Sequence, residues 1–140
     1  MSSTTRVYVA VTRALLAELA QVGKLVGPRL AHAVTPRLRA AWPGVDEEEL
    51  EYVALGAAAD ASLTIRGPGD PARRHVIAAD VFLDDSGLGA NADVATEVVI
   101  GDMSWPNVAS IHVDLQDVID LEDDLAWFAP QELVNLLRSE

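Results

Sequence analysis

HVIAADVFL, residues 75–83, is the most strand-like stretch of the chain. Its apolar residues fall on both alternating faces, the pattern of a strand covered on both sides. It is therefore predicted at the centre of a sheet. Asp80 is the exception, because a carboxylate in a central strand is costly unless it is paired. Upstream, Gly67-Pro68-Gly69-Asp70-Pro71 reads as a surface loop. Before that loop, Asp46 is placed to cap a helix whose first turn carries Glu47, Glu48 and Glu49, where the helix dipole favours negative charge. The inner face of that helix is expected to be Leu50, Val53, Ala54, Ala57 and Ala61, side chains small enough for close packing.

Further upstream, residues 6–11 (RVYVAV) predict a strand. Thr12 then caps a helix with Leu15, Leu16, Leu19 and Val22 at helical spacing, and Gly23 stops it. No glycine stands at the strand–helix junction Val11-Thr12-Arg13, which argues against a dinucleotide or P-loop phosphate site there. Residues 30–35 predict a short strand. Thr35-Pro36 opens a short helix that Trp42-Pro43-Gly44 breaks. Downstream of the central stretch, residues 84–93 (DDSGLGANAD) read as a loop. Residues 96–100 and 108–115 predict two more strands, residues 117–124 an acidic connector or weak helix, and residues 125–137 a closing helix with Pro130 in its first turn. The order is β-α-β-α-α-β-β-β-α. The expected fold is a single α+β domain over residues 1–140, with a mixed sheet of about five strands and helices packed on it.

Composition limits the function classes. The chain has 140 residues, half of them hydrophobic, which suits one domain with a substantial core. No apolar run approaches the roughly 18–20 residues of a membrane span, and no secretory leader is apparent, so a cytoplasmic protein without membrane contact is expected. Without cysteine there is no disulfide, thiolate metal site or cysteine nucleophile. Nine of the ten basic residues are arginine, which fits a GC-rich coding bias. Through Ala40 six basic residues face one acidic residue; from Ala41 onward four face twenty-one. A net charge of −12 argues against nucleic-acid binding and favours a protein partner with a basic surface.

Several stretches in order, RVYVAVTRALLAEL, AVTPRLR, DEEELEYVAL, RRHVIAADV, VASIHVD and LAWFAPQEL, cover nearly the whole chain. Together they resemble a family of small acidic proteins of unknown function found mainly in actinobacteria. The resemblance implies a bacterial cytoplasmic protein with a compact α/β domain, and it implies no activity, cofactor or site residue. Pro130 departs from the pattern, where a residue better suited to a helix is expected.

Two constellations carry chemistry. Ser110, His112 and Asp114 share one face of a predicted strand, and if that strand neighbours residues 75–83, Asp80, His112 and Asp114 can converge. Such a trio suits a divalent metal or acid–base work. The plainer alternative has Ser110, His112 and Asp114 facing water and Asp80 paired with an arginine. The second constellation joins the acidic connector, with Asp123 and Asp124, to Trp127 and Phe128, which combines steering charge with an aromatic anchor. At least one of the two aromatic residues is expected in the core. Trp42 and Trp105 are expected to close the ends of the domain. His32 and His75 stand alone and read as structural. No serine sits in a G-x-S-x-G elbow, and the 84–93 loop lacks the ligand alternation of a calcium-binding EF-hand. No metal or cofactor is expected. The leading expectation is a non-enzymatic acidic module that binds another protein. The alternatives are a small metal-dependent or hydrolytic enzyme using Asp80, His112 and Asp114, and an acidic mimic of nucleic acid.

Overall fold

The computed structural model describes residues 4–83 and 95–139; the acidic glycine loop at 84–93 lies outside them. β1 (Thr4–Val11), β3 (Arg29–Ala33), β4 (His75–Phe82), β5 (Glu97–Ile100), β7 (Val108–Val113) and β8 (Ala126–Phe128) form one sheet in the order β5-β3-β1-β4-β7-β8. A two-residue pair, β2 (Lys24–Leu25) with β6 (Met103–Ser104), lies apart from it. The large sheet has six strands rather than five, and every pairing in it is antiparallel rather than mixed.

Local chemistry sets the helices. In α1 (Arg13–Val22) the Thr12 hydroxyl accepts from the Leu15 amide, and Gly23, at φ 81°, returns its amide to Leu19. That left-handed conformation is one that glycine adopts without a Cβ penalty. Thr35 caps α2 (Pro36–Ala41) by accepting from Leu38. Asp46 caps α3 (Glu47–Thr64) by accepting from Glu49. The expected closing helix is divided. Residues 126–128 pair with β7 as a strand, Pro130–Glu132 make one 3-10 turn, and α4 (Leu133–Ser139) follows. Proline lacks the amide that a continuing helix would need, so it stands where the new turn begins.

Strand alternation splits the core into two layers. Val7, Val9, Val11, Ile77, Ile111 and their neighbours meet Leu16 and Leu19 of α1 and Leu133 and Leu136 of α4. On the opposite face, Tyr8, Val76 and Ala78 meet Ala54, Ala58 and Ala59 of α3. The buried face of α3 is Leu50, Ala54, Ala58, Ala59 and Ser62; Val53 is exposed, so the helix is rotated from the expected phase. Small alanines on all sides of α3 carry little phase information. Ser62 is fully buried. Its hydroxyl donates to the Val11 carbonyl (2.7 Å) and accepts from the His75 amide (2.9 Å), tying α3 to the ends of β1 and β4.

Candidate functional site

α3 covers β1, β3 and β4, and beyond β4 the sheet continues into β7 and β8, joined by the connector at residues 114–125. Register explains where the polar residues of that surface go. On β4, Asp80 stands opposite Arg6 of β1. The Arg6 guanidinium donates to both carboxylate oxygens, at 2.7 and 3.2 Å, in a solvent-exposed pair. His112 of β7 stands opposite Val76, and its Nε2 lies 2.8 Å from the Ser110 hydroxyl. Burial, and secondarily the Arg6 charge, push the His112 imidazole below its usual pKa, which favours the neutral ring. Nearby on β1, burial, and then the Glu51 charge, raise the Tyr8 phenol.

Asp114 does not face water. It continues the β4–β7 ladder past the last strand pair, opposite Arg74, and its amide donates to the Arg74 carbonyl. The two side chains are 3% and 8% exposed. Arg74 Nε and Nη2 donate to the two Asp114 oxygens at 2.8 and 2.9 Å, and the Arg74 amide adds a third bond at 2.8 Å. Nη1 and Nη2 also donate to the carbonyls of Leu121 and Asp123, both at 2.8 Å. One guanidinium thus fastens both ends of the connector, in the planar fork geometry that suits arginine. Val118 donates its amide to the Ala72 carbonyl, Arg73 pairs with Asp117, and Tyr52 of α3 donates its hydroxyl to Asp124 (2.8 Å). The connector is therefore held without being helical, and Leu115, Ile119 and Leu121 are turned outward among its acids.

Asp80, His112 and Asp114 are thus engaged separately, by Arg6, Ser110 and Arg74. Among the described residues, no three histidine or carboxylate side chains are grouped to hold a metal ion. Of the expected structural histidines, His32 is buried, with Nδ1 2.8 Å from the Thr96 hydroxyl. The aromatic pair splits across β8. Trp127, opposite His112, is 61% exposed, while Phe128 is partly buried against the larger core. Asp123 and Asp124 lie at the surface just before it. Trp42 is exposed and Trp105 packs on the core.

Beside Trp127, α3 and the connector enclose an open groove of about 670 Å³, lined by Tyr52, Leu55, Gly56, Asp60 and residues 121–125, with Arg74 at its base. The sequence shows neither the groove nor the arginine clamp directly. The available signal is register: once His75 is placed opposite Val113, Arg74 and Asp114 must meet. Among the described residues no helix is long and apolar enough to cross a membrane. No curated protein and no solved structure matches the chain. Residues 5–137 match the model of the Family of unknown function (DUF6912), and the chain, with this antiparallel α+β fold, belongs to that family.

Proposed function

We propose that the chain is a non-enzymatic interaction module of the bacterial cytoplasm that binds a protein with a basic surface. The observation that carries this reading is Trp127, an indole 61% exposed on the edge strand, adjoining a connector that Arg74 holds with its acids at the surface. An exposed aromatic anchor beside fixed charge of one sign suits a partner of the opposite sign. The overall charge of −12 adds long-range attraction for such a partner and repulsion for nucleic acid.

An enzyme built on Asp80, His112 and Asp114 has one contact in its favour, the hydrogen bond between Ser110 and His112. Against it, both carboxylates are already engaged by arginines and Ser110 is buried. An acidic mimic of nucleic acid would need its carboxylates spaced along one ridge, whereas here apolar side chains interrupt them.

Affinity capture from bacterial cytoplasm tests the proposal, with wild type compared against Trp127→Ala and Asp123→Lys. Both side chains are exposed, so each variant should keep its unfolding free energy within about 0.5 kcal/mol. A basic protein retained by wild type and lost by both stable variants is expected. Equal retention by all three, or an acidic captured partner, would refute the proposal.

A further inference from the structure

The groove between α3 and the connector combines an apolar lining with unbalanced negative charge. Leu55, Ala59 and Leu125 supply the apolar part, and Asp60, Glu122, Asp123 and Asp124 supply carboxylates. The cation at its base, Arg74, is matched by Asp114, and its donors are further occupied by two backbone carbonyls. The volume of about 670 Å³ lies within the roughly 300–1,000 Å³ of ordinary ligand sites.

Gly56 supplies a second, independent observation. It sits in the interior of α3, where glycine costs about 1 kcal/mol of helix stability relative to alanine. Close packing does not require it, because a Cβ built there would meet no heavy atom within 4 Å. Gly56 lines the groove, so the missing side chain leaves open space where an occupant can approach the helix backbone.

We infer that this groove receives an arginine or lysine side chain from an extended basic segment of a partner protein. Such a side chain has an apolar stem to lie on Leu55 and Leu125 and a cationic head to meet the carboxylates. Leu121, exposed in the groove lining, and Trp127, exposed two residues beyond Leu125, offer apolar contacts to the rest of the segment. The inference rests on the proposed role as a binder of basic proteins and names the pocket that anchors the partner.

The test uses a fluorescein-labelled hexa-arginine peptide and fluorescence anisotropy at about 150 mM salt, where long-range attraction is screened beyond about 8 Å. Gly56→Leu leaves net charge unchanged and fills the groove, and it should weaken binding about tenfold while melting no lower than wild type. Asp60→Asn, a second groove variant, should weaken it severalfold. Glu48→Gln removes one charge from the exposed first turn of α3 outside the groove and should change binding less than twofold. Equal effects of Asp60→Asn and Glu48→Gln, with Gly56→Leu folded and binding normally, would overturn the inference. So would free spermidine competing at the peptide's own concentration, which would make the occupant a small cation. Self-association abolished by Gly56→Leu in sedimentation would make the occupant a second copy and would overturn the inference as well. If cellular capture still depends on Trp127, which is outside the groove lining, while Gly56→Leu and Asp60→Asn bind normally, the pocket assignment falls and the proposed function stands.

Discussion

Replacing Arg74 by leucine removes one guanidinium from four acceptors. In wild type it holds both Asp114 oxygens and the carbonyls of Leu121 and Asp123, and its side chain is 3% exposed. In Arg74→Leu the Asp114 carboxylate keeps the residue-74 amide but loses its countercharge in a site 8% exposed. Breaking a buried pair from one side costs about 3–5 kcal/mol, because the remaining charge is left uncompensated. For 140 residues, an unfolding entropy of about 2.1 cal/mol/K per residue converts that loss to a fall in melting temperature of roughly 10–17 °C. The double variant Arg74→Leu/Asp114→Leu removes both charges and should recover at least half of the loss. Urea unfolding of wild type, both single variants and the double variant completes the cycle, and hydrogen exchange over residues 114–125 reports whether the connector is released. A loss below about 1 kcal/mol, or a double variant as unstable as the sum of the singles, would refute the account of Arg74 as a buried clamp.

Ser62→Ala leaves the Val11 carbonyl and the His75 amide without the hydroxyl that joins them, so a loss of about 1–3 kcal/mol in urea unfolding is expected. Stability should also fall on acidification below about pH 6.5. Burial first depresses both His32 and His112 in the folded chain, the Arg6 charge adding to the effect at His112. The unfolded chain then binds more protons as pH falls through the usual imidazole range, whereas above that range both states are neutral and the contribution is fully present. Unfolding curves at pH 5 and 7.5 measure the difference, and His112→Gln should reduce it; an unchanged difference would exclude His112 as a contributor.

Elements defined by neighbouring residues were the ones legible in the sequence. The caps at Thr12, Thr35 and Asp46 and the stop at Gly23 depend on side chains within a few positions, and each stands where its pattern predicts. The central place of residues 75–82 followed from apolar faces on both sides. β8 was not legible, because residues 125–137 carry apolar spacing that also fits a helix; the pairing offered by β7 decides in favour of a strand. β2 and β6 are too short for any periodicity. At the candidate site, the sequence pointed to Trp127 and to Asp80 with an arginine partner. It could not reveal Arg74 with Asp114, because those two residues are forty positions apart and meet only through the β4–β7 register. The phase of α3 was hidden for a related reason. Alanine buries equally well on several sides, so the sheet beneath the helix selects the face.

The eight-residue pairing of β1 with β4 also has a consequence for how the chain is made. Thr4 lies opposite Phe82 and Val11 opposite His75, so the middle of the sheet joins segments more than sixty residues apart. At a synthesis rate of about 5–20 residues per second, β1 waits roughly 4–15 s before its partner exists. During that interval the apolar run from Val7 to Val11 has no native neighbour on the β4 side. Arg6 is well placed to matter then, since a charge at the margin of an apolar strand discourages pairing with foreign chains. The residue that later meets Asp80 thus stands at the margin of β1 throughout that wait.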